Sequence, residues 1–335
     1  MATIHDVAET AGVSPTTVSR YINNRIELPP ATAARIDAAI ARLDYRPDLL
    51  AKRLFTGKTE AIGLVTPDIA NPFFAELASA VEDEAERHGY AVFMSSTRGE
   101  RARELAFLQR LHDRHVDGLI LMTNLPDDGR LAALIHEGDN VVLLDEDIPG
   151  VSMPRIFVEN QCGSYRATQH LIEHGHRNIA FVGGPPGLFS VKERRAGFEQ
   201  AMSEAGLAVR AEHVLLGAYT RDFGRQAIEA ILSRPRHPTG ILASSDYLAL
   251  GVMQGLKHHG FALPSDMSLV GFDDMPLAEL VDPALTTIRQ PIATMGRLGF
   301  QRLLALINKQ APQMLTRLPV ELIERRSVAA PRKGN

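Results

Sequence analysis

The stretch Ala11-Gly12-Val13-Ser14-Pro15-Thr16-Thr17-Val18-Ser19-Arg20 stops one helix and starts another within three residues. Gly12 is the residue type that takes the left-handed conformation closing a helix, and Ser14 followed by Pro15 is an N-cap followed by a favoured first-turn residue. The reading is helix, tight turn, helix. Val7, Ala8 and Ala11 share one face of the first helix and Val18 and Ile22 one face of the second, so two short apolar stripes can pack across the turn. Pro15, Thr16, Ser19, Arg20 and Asn23 are left outward, small hydrogen-bonding groups around one guanidinium, a composition suited to a DNA major groove. On these residues alone a helical hairpin of some small bundle would read the same way, because the spacing is common.

Working outward, a third helix is expected from Ala31 to about Leu43, with Ile36, Ala39, Ile40 and Leu43 on one stripe behind Pro29-Pro30. It closes a headpiece over residues 1–45. Residues 46–60 read as a linker that holds one marginal helical turn at Leu49 to Leu54. From Ala61 strands and helices alternate: AIGLV (61–65), AVFMSS (91–96), DGLILM (117–122) and VVLLDE (141–146), separated by helical stretches such as Phe73 to Arg87 and Arg101 to Arg114. A second series begins after Asn160 with NIAFVGG, HVLLG, GILASS and SLVGFDD. The fold expected for residues 61–335 is therefore an α/β core of two doubly wound lobes behind an all-α headpiece. The late segment from Leu285 through RLPVELIER (317–325) is expected to cross back to the first lobe.

A chain of 335 residues suits two or three domains. Its formal net charge is −4, yet the first sixty residues carry eight Lys or Arg against seven Asp or Glu, and Lys52, Arg53 and Lys58 cluster. The single cysteine, Cys162, excludes an internal disulfide and any multi-cysteine metal site, which suits a reducing compartment. The N-terminus carries Asp6 and Glu9 and lacks the basic-then-apolar pattern of a secretory signal, and no uninterrupted apolar stretch is long enough to span a membrane. A soluble cytoplasmic protein is expected.

In open parallel sheets ligands bind beyond the carboxyl ends of the strands. Those ends carry Asp68, Ser95, Ser96, Asp145, Ser245, Asp246 and Asp273, with Phe73, Phe74 and Tyr219 near the same edge and Arg194 on the helix after FVGG. Taken singly, each acid reads as a cap or loop residue. As a set, carboxylates for vicinal hydroxyls and aromatic faces for C–H surfaces describe a sugar site better than a phosphate or lipid site.

Other motifs dissolve on inspection. TGKT (56–59) ends like a phosphate loop, but Lys52 stands where the loop needs glycine. GGPPG (183–187) sits where a dinucleotide loop would, but Pro185 and Pro186 have no N–H for a pyrophosphate. His170, His174 and His176 could approach a metal; with Gly175 ending the helix there, a solvated C-terminal turn is the preferred reading, and no metal or other cofactor is expected. No G-x-S-x-G elbow occurs, and neither Asp145 nor Asp273 has a paired partner for acid–base work.

Taken together, TIHDVAETAGVSPTTVSRYINN, DYRPDLLAKRL, NPFF, LLDE, KERRAGF, SSDYLALG, VGFDD and TTIRQP resemble the lactose repressor and galactose repressor family of bacterial transcription regulators over essentially the whole chain. The first two in that order are highly specific; the later ones also resemble periplasmic sugar-binding proteins. The resemblance implies that Pro15, Thr16 and Arg20 read the major groove, with Ser19 and Asn23 on the same face. It implies that Leu54 is the hinge residue wedged into the minor groove, beside Lys52 and Arg53. An effector is then contacted by Phe73, Phe74, Asp145, Arg194, Tyr219, Ser245, Asp273 and Gln290.

Four positions depart from the family pattern. Ser245 stands where relatives often have asparagine, and Glu146 where ribose-type relatives often have arginine, so a ribose ligand does not carry over. Phe55 follows Leu54 where a basic residue is common, and Pro29 replaces the usual serine cap of the third helix. The tail RRSVAAPRKGN has no apolar heptads, so a tetramer built on a C-terminal coiled coil is not expected. The expectation is a homodimeric, sugar-responsive regulator, most often a repressor in this family, bound to palindromic operator DNA. The alternative is a cytoplasmic sugar-active enzyme with a helical headpiece.

Overall fold

A computed structural model describes residues 2–22, 26–45, 57–136, 138–234 and 236–332. The chain divides into two compact units, at Thr59 and Glu60. In the first unit, α1 (Ile4–Ala11) opens on a capping box: the Thr3 backbone N–H donates to Asp6 Oδ2 at 2.7 Å, and the Asp6 N–H donates to Thr3 Oγ1 at 3.3 Å. Gly12, at φ +64°, closes it, and its N–H donates to the Ala8 and Glu9 carbonyls. The next helix, α2 (Pro15–Ile22), is capped by Ser14, whose Oγ accepts from the Thr17 N–H at 3.1 Å. The third, α3 (Pro30–Leu43), starts one residue before its sequence reading, because proline is favoured in a first turn.

Val7, Ala8, Ala11, Val18, Ile36 and Ala39 form the small buried core, with Ile22, Ile40 and Leu43 packed half-buried at its edge. A polar tie joins α2 to α3, Tyr21 Oη donating to Asp37 Oδ2 at 2.9 Å. The helical turn expected at Leu49 to Leu54 lies outside the described residues.

The second unit holds two six-stranded sheets. One comprises β1 (Ala61–Thr66), β2 (Ala91–Ser96), β3 (Leu119–Leu121), β4 (Val141–Leu144), β5 (Arg155–Val158) and β11 (Leu315–Leu318), in the order β11-β5-β4-β3-β1-β2. The other comprises β6 (Ile179–Gly183), β7 (Val214–Leu216), β8 (Gly240–Ala243), β9 (Ser268–Asp273), β10 (Thr286–Arg289) and β12 (Glu321–Ile323), in the order β12-β10-β9-β8-β6-β7. All pairings are parallel except β12, which runs antiparallel to β10. Each sheet reverses its strand order once, between β1 and β3 and between β6 and β8, and such switch points open a crevice at the carboxyl ends.

Helices cover the sheets: α4 (Pro72–Arg87), α5 (Arg101–His112), α6 (Arg130–Leu134), α7 (Asn160–Glu173), α8 (Phe189–Glu204), α9 (Arg221–Leu232), α10 (Asp246–His258), α11 (Leu277–Leu280) and α12 (Ile292–Ile307). The paired helices approach closely through glycine. A Cβ on Gly197 of α8 would collide with the Gln161 carbonyl of α7 and sit 2.8 Å from the Tyr165 nitrogen.

Two features correct the sequence reading. Arg155–Val158 is a strand of the first sheet, although its RIFV is too short to stand out beside the longer apolar runs. The C-terminal segment does not simply cross back: β10 lies in the second sheet, β11 joins the first beside β5, and β12 returns to the second. The chain thus passes between the lobes three times, after β5, β10 and β11.

Candidate functional site

On α2 the structure leaves Thr16 and Arg20 exposed and Pro15 and Ser19 half-buried, as the stripe containing buried Val18 requires. Asn23, Lys52, Arg53 and Leu54 lie outside the described residues.

The second cluster forms between the two lobes around Arg194 of α8, whose side chain is only 3 % exposed. Its Nε donates to Asn160 Oδ1 at 2.7 Å, and one terminal nitrogen donates to the Ser244 carbonyl at 2.6 Å. The plane of the guanidinium lies over the Phe272 ring, 3.9 Å from its centre. Two carboxylates flank it, each 3.8 Å away: Asp145 from the loop after β4 and Asp273 from the end of β9. Asp273 is held in turn by Gln290, whose Nε2 donates to Oδ1 at 2.7 Å.

Several buried polar atoms in this cluster have no hydrogen-bond partner within the chain: Asp145 Oδ1, Asn160 Nδ2, Tyr219 Oη, Ser244 Oγ and Gln290 Oε1. Buried polar groups are ordinarily paired, so five orphans around one guanidinium mark a place built to hydrogen-bond something else. Backbone geometry agrees. Asp145 (φ +68°), Asp273 (φ +126°) and Asp274 (φ +59°) all occupy conformations that side chains disfavour, and such strain gathers at ligand sites.

Burial also sets the charge state. It pushes Asp145 upward against the opposing pull of Arg194, and Asp273 to about 7. The neighbouring Glu146 rises to about 8, through burial first and then the Asp145 charge. Tyr219 is raised to about 12, chiefly by burial. A hydroxyl-rich ligand can both donate to and accept from such a set.

Asp145, Arg194, Tyr219, Asp273 and Gln290 are therefore brought together as expected. Phe73 instead packs in the core of the first lobe, 4 % exposed, with its ring edge-on to half-buried Phe74 at 5.1 Å. The Ser245 hydroxyl is occupied as the N-cap of α10, accepting from the Leu248 N–H at 3.1 Å, while its neighbour Ser244 supplies the orphaned hydroxyl. Asn160, Ser244 and Phe272 were missed. Asn160 could have been found only by recognising β5, which delivers it, and the other two owe their roles to Arg194 reaching across from α8. Gly184, from the GGPPG loop, lies so close to the Tyr219 ring that a Cβ would fall on it.

Asp246, by contrast, is structural: it accepts from the Met275 N–H at 2.9 Å and the Thr287 hydroxyl at 2.6 Å. The solvated turn expected at the histidines is likewise corrected. His176 is buried, its Nε2–H donating to the Ala329 carbonyl and its Nδ1 accepting from Thr239, both at 2.9 Å, and burial holds it down at about 4. His170 is buried too, and only His174 is exposed. A separate hollow of about 690 Å³, lined by Leu250, Met253, Lys257, Phe261 and Pro283, has no orphaned side-chain atoms. Among the described residues no helix is long and apolar enough to cross a membrane.

A helix-turn-helix unit followed by a two-lobed α/β core with a polar interlobe cluster is the architecture of a ligand-responsive DNA-binding regulator. Residues 3–48 match the family model described as bacterial regulatory proteins, lacI family, and residues 168–328 match the periplasmic binding protein-like domain. The chain belongs to the lacI family of bacterial regulatory proteins, and it is a transcriptional regulator. It is 35 % identical to the HTH-type transcriptional repressor PurR of Serratia proteamaculans (strain 568), over 98 % of this chain and 97 % of that one. Among solved structures it is similar to the lac repressor dimer bound to operator and the anti-inducer ONPF, with a TM-score of 0.86, 28 % identity, and coverage of 98 % of this chain and 99 % of that one. The transcriptional regulator CelR–cellobiose complex is similar at a TM-score of 0.74 and 30 % identity, covering 98 % of this chain and all of that one.

Proposed function

We propose that the protein acts in the cytoplasm as a homodimeric repressor on palindromic operator DNA, and that a sugar or sugar derivative bound between the lobes sets its operator affinity. The observation that carries the effector half is the buried Arg194 ringed by five polar atoms with no partner in the chain. Asp273 accepts two ligand hydroxyls in this reading, and Arg194, Asn160, Tyr219 and Gln290 complete the set. A solved relative of matching architecture holds cellobiose, and another is a dimer on its operator, which supports both halves. In the headpiece, Thr16 and Arg20 of α2 read base edges from the major groove, with Pro15, Ser19 and Asn23 beside them. Lys52, Arg53 and Leu54 engage the minor groove and its phosphates.

A ligand can shift operator binding only through its different affinity for open and closed arrangements of the lobes. The test is in two stages. Thermal-shift screening against sugars, polyols, sugar acids and sugar phosphates identifies the effector; a gel shift on duplexes selected from a random library then measures its action. Operator binding changed by one sugar, as a release or as a strengthening, is expected. Binding that no member of the panel changes would remove the effector from the proposal.

A further inference from the structure

We infer that Glu146 is a positioning residue for Arg194: its carboxylate, on the first lobe, fastens the first turn of the helix that carries Arg194 on the second, so that closing the cleft and presenting the guanidinium are one event. This rests on the cleft being the effector site. Helix α8 begins at Phe189 behind Leu188, whose side chain has no oxygen with which to cap it. Its first N–H groups would be left without side-chain partners. Glu146 supplies the partner from across the cleft. The Phe189 N–H donates to Glu146 Oε2 at 2.8 Å, the Ser190 N–H donates to both carboxylate oxygens at 3.3 Å, and the Ser190 hydroxyl donates to Oε1.

Other residues of the same lobe grip the same turn. Phe157 of β5 lies against Phe189 with ring centres 4.5 Å apart. Arg317 of β11 spreads over both rings and donates two bonds to Glu193, at 3.1 and 2.8 Å. Thus β5, β11 and the loop after β4 hold the start of α8, and Arg194 follows directly. Asp145 faces the Arg194 side chain while its sequence neighbour Glu146 holds the first turn of the helix, so a single first-lobe dipeptide registers both the helix start and the guanidinium. Phe157 and Arg317 add area and charge to this seam, and of the three Glu146 is the one that bonds the backbone of α8. Separating the lobes must break those bonds.

The experiment uses the full chain and needs no effector. Hydrogen exchange is followed at the Phe189 and Ser190 amides, and spin labels at exposed Gln109 and Ser233, one in each lobe, report the interlobe distance in a Cys162→Ser background diluted with unlabelled protein. Glu146→Ala is expected to speed exchange at both amides by about tenfold, as leaving a buried amide without its partner implies, and to move the label distance to longer values. Glu146→Gln, which keeps one acceptor oxygen, should retain the short distance with a smaller rise in exchange. Ser190→Ala, which removes only the hydroxyl contact, gives a third measurement should Glu146→Ala fail to fold, and it should also lengthen the distance distribution. Faster exchange with a wild-type distance in every variant would make Glu146 a helix cap and nothing more, overturning the proposal. A panel in which no sugar binds would defeat the effector reading yet leave these two readouts intact, so the two failures are distinguishable.

Discussion

Arg194 and Asp145 belong to different lobes, yet their side chains come within 3.8 Å of each other in the interior of the core. The guanidinium is charged at any accessible pH, and its planar fork is already committed to Asn160 and Ser244 on one side. Its other terminal nitrogen lies 3.8 Å from Asp145 Oδ1, one of the orphaned atoms.

Arg194→Lys keeps the charge but loses the fork and the stacking on Phe272. The substitution should weaken effector binding by roughly 10- to 100-fold, the worth of a charge-assisted hydrogen bond of about 1.5–3 kcal/mol. Calorimetric titration with the sugar found by thermal-shift screening measures it, and wild-type affinity would place the ligand elsewhere.

Asp273→Ala should abolish the effector response and leave operator binding intact, because Asp273 lies at the end of β9 in the core and not in the headpiece. If the ligand releases DNA, this variant is a permanent repressor; if it strengthens binding, the variant is permanently derepressed. Operator affinity with and without ligand decides, and a wild-type-sized change would show that Asp273 is dispensable.

Stability should fall as pH rises from about 5 to 8. Burial raises the folded-state values of Glu146 to about 8 and Asp273 to about 7. The native state then holds protons that the unfolded chain has released, and their contribution, complete below the ordinary carboxylate range, is lost progressively as pH climbs from that range through the raised values. His176 works in the other direction: its depressed value of about 4 means stability present above the ordinary histidine value and lost as pH falls towards 4. Melting temperatures should therefore decline from about pH 5 to pH 8, less steeply below pH 6.5 where His176 offsets part of the loss, and level off above 8. In Glu146→Gln the decline above pH 6.5 should flatten; an unchanged slope would mean that Glu146 does not titrate there.

Arg20→Ala should lose preference at one base position per half-site, a discrimination typically worth about 1–3 kcal/mol. Selection from a random duplex library at fixed salt reads it out. Retained wild-type preference would show that α2 does not read that base through Arg20.

Gly197→Ala should destabilise the core by about 1–3 kcal/mol or more, since the added methyl meets the backbone of α7 and not a side chain that can turn away. Urea unfolding of the variant beside wild type checks this. A loss below a few tenths of a kcal/mol would mean that the helices separate freely.

Much of the architecture was written in local patterns. Gly12, Ser14 and Pro15 announce the helix break because each acts on its own backbone, and Val7, Ala8, Ala11 and Val18 announce the buried face because helical periodicity is local. The strands from Ala61 to Thr66 and from Ser268 to Asp273 are continuous apolar runs, as strands covered on both faces must be. RIFV at 155–158 escaped because four residues, the first an arginine, carry too little period, and the routes of β11 and β12 escaped because sheet membership is not a local property.

By itself, then, the sequence determined a helix-turn-helix headpiece, two doubly wound lobes and a set of polar residues at strand ends, all of which follow from short-range spacing. Only the tertiary structure decided which of those residues meet. Asp145 lies 49 positions before Arg194, and Asp273 lies 79 after it, yet both stand 3.8 Å from its guanidinium. Ser245 is turned to its own helix while Ser244 is left unpaired, and Glu146 caps a helix 43 residues away. These pairings depend on how the two sheets face each other, and side chains brought together by that packing leave no period in the chain to be read.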